Sequence, residues 1–234
     1  MIVDDPDPNS LYLVTDKEFG HVGQADETFL PRYESRFGKK PGQLAWMNQV
    51  HGSKVEYVAK SAERSVLFSR TDGLWTDQKG IMLITKTADC VPILLWNNKD
   101  GIIAALHCGW RGFFAGVIES FFEICNKNSF DGKNFSVFLG PHLRLENFEV
   151  QDDFINAAPE NKKNFIRDIC GRKHYDITAG VKSVLSSFGI VDIKDSGIDT
   201  YANPDYFSYR VWTNMPEEKR PANYSTFANC IFMR

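Results

Sequence analysis

The chain reads as a single α+β domain spanning residues 1–234. Three observations predict this. Apolar runs of strand length crowd the first 140 residues without a helix between each pair. Helical apolar spacing appears at 113–126 and again in the second half. With 234 residues, 43% of them hydrophobic and 24% charged, the chain can bury a sizeable core. No internal repeat or low-complexity segment divides it.

"LYLVT" (11–15) reads as a strand, and "TFLPRYESRFG" as a short helix stopping near Gly38. "LAWMNQV" (44–50) and "KVEYV" (54–58) are strand-like runs separated by "HGS", which suggests a hairpin whose turn carries His51 and Gly52. "TDGLWTD" is turn-rich. "IMLITKT" and "VPILLW" follow as apolar strands joined by "ADC"; "NNKDG" is a hairpin turn leading into the strand "IIAALH". Phe114, Val117, Ile118, Phe121, Phe122 and Cys125 then trace one helical face. "FSVFLGP" is a strand stopped by Gly140 and Pro141. "NKKNFIRDIC" suits a helix with Gly171 as its stop, and "ITAGVKSVLSSF" a helix capped by Asp176 and followed by Gly189. "GIDTY" and "YFSYR" suggest short strands, and "MPEEKRPANYSTF" carries no clear pattern.

Charge and cysteine usage narrow the class. With 27 basic against 30 acidic residues, the net charge of −3 argues against a nucleic-acid surface. The N-terminal stretch "MIVDDPDPNS" lacks the basic and apolar segments of an export signal, and Lys86 and Asp89 interrupt the longest apolar stretch. A soluble, cytoplasmic protein with no membrane partner is expected. Five cysteines, an odd number without a Cys-x-x-Cys pair, are expected to be free thiols.

His51, Cys90 and His107 each fall where a predicted strand ends. Two imidazoles and a thiolate are a chemically sound zinc set, and three protein ligands leave a fourth position open, as in catalytic sites. Their separations, 39 and 17 residues, match no zinc-finger or H-E-x-x-H spacing. Each residue also has an ordinary reading: His51 as a turn histidine bonded to backbone, Cys90 as a core thiol, His107 as a buried histidine satisfied by a carbonyl. Cys108, next to His107 on the same strand, should face the opposite side.

The motifs "NQVHG", "TDGLWTD", "ITKTADCVPILLW", "HCGWRG" and "LGP", in this order, resemble the YfiH-like family. That family was long labelled laccase-domain or polyphenol oxidase and is now described as purine nucleoside phosphorylases with adenosine deaminase activity. The resemblance is firm over 44–141 and weaker through "HYDITAGV" and "FSYR". It implies a layered α/β/β/α domain with mixed sheets. It also implies zinc on His51, Cys90 and His107 (copper under the older label), with those three as catalytic residues. The implied substrates are a purine nucleoside and phosphate, bound by a monomer or small homo-oligomer. The chain departs from the family pattern at several points. Asp16 stands where an arginine is expected, Cys108 where alanine is usual, His142 where cysteine is usual, and "DTYANPDY" lacks a cysteine.

Arg111, between Gly109 and Gly112, offers a planar fork of donors to a phosphate or a purine edge. Arg210, Ser208 and Asn48 are further substrate-binding candidates. The ordinary readings are a surface salt bridge for each arginine and a turn contact for Asn48. An exposed turn histidine is expected at His142. Four functional readings stand: a zinc-dependent nucleoside phosphorylase with deaminase activity, a copper-dependent polyphenol oxidase, a Cys90–His107 hydrolase, and a degenerate, non-catalytic nucleoside-binding protein. The five histidines are too few for a multicopper enzyme's full ligand set.

Overall fold

A computed structural model describes residues 1–7, 10–37 and 41–234, without the side chains of 5–7. The chain runs β1 (Ile2–Asp7), β2 (Ser10–Val14), α1 (Phe29–Phe37), β3 (Gln43–Met47), β4 (Val55–Tyr57), β5 (Ser65–Phe68) and β6 (Gly73–Thr76). It continues through β7 (Ile81–Thr87), β8 (Val91–Asn97), β9 (Ile102–Cys108), α2 (Trp110–Ala115), α3 (Val117–Lys127) and β10 (Ser136–Leu139). The last third holds α4 (Asp152–Ala157), α5 (Glu160–Lys163), β11 (Ile166–Ile169), β12 (Arg172–Tyr175), α6 (Ile177–Ser187), β13 (Asp192–Asp195), α7 (Tyr209–Asn214) and β14 (Phe227–Met233).

Two mixed six-stranded sheets form, in the orders β1-β2-β14-β7-β3-β5 and β13-β10-β8-β9-β6-β4. Strand periodicity then sorts the core into three layers. On β7, Ile81 and Leu83 face the second sheet while Met82 and Ile84 face outward onto the α1 layer. On β9, Ile103 and Ala105 pack between the sheets, whereas Ile102, Ala104, Leu106 and Cys108 join α3 and α6 on the far side. Helix α1 therefore covers one sheet and α2, α3 and α6 the other, giving the α/β/β/α arrangement. Strands buried on both faces explain why β7, β8 and β9 read as continuous apolar runs. No helix among the described residues is long and apolar enough to cross a membrane.

Several elements differ from the sequence expectations. The runs around "HGS" do not form a hairpin: β3 lies in the first sheet, parallel to β5 and β7, and β4 lies in the second, parallel to β6. "TDGLWTD" contains the buried strand β6. "ADC" is a crossover between sheets, not a turn within one. The helix expected over "NKKNFIRDIC" is only α5; the rest is the β11–β12 hairpin, where Cys170 (φ 51°) and Gly171 (φ 79°) make a two-residue turn. The glycine that resembled a helix stop is a hairpin glycine. "FSYR" starts α7, and "GIDTY" supplies only an isolated bridge from Asp199 to His142. The polar tail leads into β14, the central partner of β2 and β7. The expected strand at 11–15, the 91–108 hairpin and the Asp176 cap, which accepts from Ala179 N at 2.9 Å, are present. The expected helical face at 113–126 is split by left-handed Gly116 into α2 and α3. The expected stop at Gly38 lies outside the described residues.

Candidate metal centre

Parallel β3 and β7 end side by side, and from each the chain crosses to the second sheet. The first crossover carries His51 and the second carries Cys90. Strand β9 ends at the same place, with Val91 opposite Cys108 and Pro92 opposite His107. Both crossovers need left-handed backbone at a residue other than glycine: His51 at φ 60° and Asp89 at φ 91°. Such conformations cost roughly 1–3 kcal/mol each and persist only where surrounding contacts hold them.

Those contacts are carboxylates. Asp72, fully buried, accepts from the backbone N–H groups of Val50, His51 and Gly52 at 3.2, 2.9 and 2.8 Å. Asp89 accepts from the Thr200 hydroxyl and the Arg210 backbone N–H, both at 2.6 Å, which ties the second crossover to α7. Burial raises the Asp89 carboxyl despite these bonds.

Asp72 also bonds His107 Nδ1 at 2.8 Å, directing the other ring nitrogen away from the carboxylate. The donor atoms of His51, Cys90 and His107 lie within 4.8 Å of one another. The two imidazole rings meet edge to face, with centroids 4.8 Å apart. Burial alone would raise the Cys90 thiol; the adjacent His107 and His51 rings reverse this and bring it down to about 6. Burial likewise opposes charge on His107, but Cys90 and Asp72 outweigh it and lift the ring to about 9. The cluster therefore favours the thiolate, the form that ligates metal. These three residues can hold a metal ion. His51, the most exposed of the three, stands at the cavity side of the cluster, while His107 is buried at its base.

Glycines shape the approach. A Cβ on Gly109 would fall 2.8 Å from Cys90 Sγ and 2.9 Å from His51 Cδ2. One on Gly112 would fall 3.0 Å from the Gly52 carbonyl oxygen, so α2 packs directly against the His51 turn. Beside the cluster opens a cavity of about 550 Å³ whose wall includes all three donor residues, Trp110, Arg111, Tyr209, Arg210 and Tyr224.

The substrate-binding candidates separate here. Arg111 lines the cavity, with its guanidinium 4.0 Å from the centroid of the Trp110 ring. Arg210 also lines it, but its guanidinium donates to the Asn147 and Glu149 carbonyls at 3.3 and 3.0 Å. Ser208 does not line it: it caps α7, accepting from Val211 N at 3.1 Å. Asn48 also lies outside the wall; its neighbour Gln49 is in it, with the amide paired to the Lys86 backbone at 2.7 and 2.9 Å. His142 is fully buried rather than exposed, bonded to the Gly140 carbonyl at 2.7 Å and the Thr178 hydroxyl at 2.8 Å. Asp16 is buried against the Met1 ammonium and Phe19 N, outside the cavity. Cys108 faces the opposite core, as the strand period requires. Sequence reasoning missed Asp72 and Lys86; an acid immediately before a buried strand and a lysine at the end of an apolar one were the available signals.

Residues 26–220 match the family model described as multi-copper polyphenol oxidoreductase laccase. The chain belongs to this family. Within it, the chain is 34% identical over 172 residues to a purine nucleoside phosphorylase of Rickettsia conorii, spanning 70% of this chain and 69% of that protein. A purine nucleoside phosphorylase of Mycobacterium bovis is 31% identical over 206 residues, 86% of this chain and 77% of its own. The fold of this laccase-family chain matches the Bacillus licheniformis hypothetical protein YfiH with a TM-score of 0.82 at 15% identity over 99% of both chains. It matches YlmD of Geobacillus stearothermophilus with a TM-score of 0.79 at 19% identity, over 99% of this chain and 94% of that one.

Proposed function

We propose that this protein is a zinc-dependent purine nucleoside phosphorylase. The observation that carries the reading is the three-donor cluster of His51, Cys90 and His107 opening onto a cavity large enough for a nucleoside. Relatives at 31–34% identity that are named purine nucleoside phosphorylases support it. Two nitrogens and a thiolate suit zinc and leave room for an exogenous ligand. A multicopper arrangement needs further histidines. Of the other three, His142 and His174 bond within the fold and His21 Nδ1 accepts from Thr226 N. When bound, zinc supplies a Lewis acid at the cavity wall.

In phosphorolysis, a phosphate oxygen forms a bond to C1′ of the ribose as the C1′–N bond breaks. The bonding pair leaves with the purine, giving ribose 1-phosphate and free base. The site must bind an anion, hold the base and tolerate a cationic sugar in the transition state. Arg111 donates to the polar edge of the ligand, its orientation fixed by stacking on Trp110. Tyr209 and Tyr224, 5.0 Å apart between centroids and both partly exposed, offer faces for the base. Asp72 keeps His107 aimed at the centre. The family resemblance adds hydrolytic deamination of adenosine at C6 as a second activity of the same cavity.

The test is incubation with adenosine and inosine, with and without phosphate, resolved by chromatography. Phosphate-dependent release of adenine or hypoxanthine, abolished by chelation and restored by zinc, is expected. Conversion of adenosine to inosine without phosphate reads the deaminase activity. No turnover at full zinc occupancy would sink the proposal and favour a nucleoside-binding protein.

One observation favours a second reading. Cys90, His107 and Asp72 also form a nucleophile–base–carboxylate series, with the thiol already lowered. A cysteine hydrolase would keep its activity under chelation and lose it to alkylation; the phosphorylase would do the first in reverse.

A further inference from the structure

Lys86 has no role in the centre described above, yet it lines the same cavity. It follows Met82 and Ile84 on the outward face of β7, one turn of the strand beyond the last β3 pairing. Where β3 ends, Gln49 takes over as partner and fixes both the N–H and the carbonyl of Lys86. The backbone is thus held rigidly while the side chain extends along the cavity wall.

The ammonium is half-buried and uncompensated. No carboxylate lies within ion-pair distance of it among the described residues. Asp26, whose charge it feels, is already engaged: Arg32 holds one oxygen at 2.5 Å, and the backbone N–H and hydroxyl of Thr28 hold the other. Burial lowers the ammonium's pKa for the same reason. The anionic groups of the cavity are engaged elsewhere: the Cys90 thiolate faces the His107 and His51 rings. Asp89 spends its carboxylate on Thr200 and Arg210, and Arg111 adds a second cation. A protein of net charge −3 therefore concentrates positive charge in one cavity, which attracts an oxyanion. A lysine ammonium serves as a point charge for phosphate, whereas planar, bidentate contacts suit arginine.

We propose that Lys86 is the phosphate-binding residue of the cavity, taking a tetrahedral oxyanion at the wall formed by the end of β7. Inorganic phosphate is the assigned source, a choice that rests on the phosphorolysis reading; the phosphate group of a nucleotide would present the same chemistry.

Binding of inorganic phosphate to the full chain is measured by calorimetry for the wild type, Lys86→Met and Lys86→Arg. Adenosine and adenosine 5′-monophosphate are titrated in parallel, and zinc content and melting temperature are recorded for each variant. Lys86→Met should weaken phosphate binding about ten- to a hundredfold, the usual loss for a charge-assisted bond. Lys86→Arg should restore most of it, and adenosine affinity and zinc content should not change. In turnover, the KM for phosphate should rise while the KM for nucleoside stays constant. The assignment is overturned if the wild type does not bind phosphate or if Lys86→Met binds it equally well. It is also overturned if adenosine binding weakens in step, or if only the monophosphate shows a Lys86-dependent gain. Lys86-dependent phosphate binding without phosphorolysis would remove the proposed activity and leave the oxyanion site standing.

Discussion

The Asp72 carboxylate joins His107 Nδ1 at 2.8 Å while collecting three backbone N–H groups from the turn that carries His51. One buried side chain thus positions two of the three candidate metal donors. Its own carboxyl is held below the usual carboxylate range: burial would raise it, and His107 and the turn amides overcome that. Asp72→Asn keeps the volume but loses the charge and one acceptor. Zinc affinity, measured by chelator competition, should fall about 10- to 100-fold, the usual effect of removing such a support. Unchanged affinity would mean that the ring is oriented by packing alone.

Gly109 is required by space rather than by backbone conformation. Its φ of −73° suits any residue, so alanine introduces no backbone strain. The new methyl would press on Cys90 Sγ and the His51 ring. Gly109→Ala should therefore cut zinc affinity at least tenfold while the metal-free protein melts within about 2–4 °C of the wild type, the shift that 1 kcal/mol produces in a domain of this size. Equal losses of affinity and stability would show that the substitution unfolds α2 instead of displacing ligands.

How legible the site was depends on which forces placed each residue. His51, Cys90 and His107 stood out because polar donors closed apolar runs, and strand period alone put Cys108 on the opposite face. That the first two arrive on crossovers between sheets was not readable. A strand leading to "HGS" looks the same whether the next strand pairs with it or joins another sheet, since pairing is a non-local choice. The β11–β12 hairpin was misread because Gly171 signals both a helix stop and a two-residue turn. His142 looked like a loop histidine because its burial comes from Thr178 and Gly140, distant or backbone groups that no local pattern announces. Asp72 was hidden for the same reason: its partners lie 20–35 residues away.

Cys90 should be the most reactive of the buried thiols once metal is stripped by chelation. Burial pushes Cys108, Cys125 and Cys230 up, whereas the flanking imidazoles bring Cys90 down to about 6. In a Cys170→Ser background, which removes the exposed thiol, iodoacetamide should label Cys90 with a rate that levels off above about pH 7. Added zinc should protect it. Peptide mass spectrometry reads both effects; uniform labelling of Cys90 and Cys108 would contradict the electrostatics of the cluster.

Acid stability should depend on His142. Burial, and then the nearby Arg144 charge, lower its pKa from 6.5 to about 4 in the folded chain. Between those values the unfolded chain binds a proton that the folded chain refuses, so stability rises with pH across this window. Above about pH 6.5 both states are neutral at this position and the penalty is absent; below about pH 4 it is fully expressed, at ~3 kcal/mol for a shift of this size. His142→Asn has no such proton to take up. Urea unfolding at pH 7 and pH 4.5 should show the wild type losing ~2–3 kcal/mol more than the variant over that interval. A parallel pH dependence in the two proteins would mean that the ring is protonated inside the fold, with the Gly140 carbonyl and Thr178 hydroxyl both accepting from it.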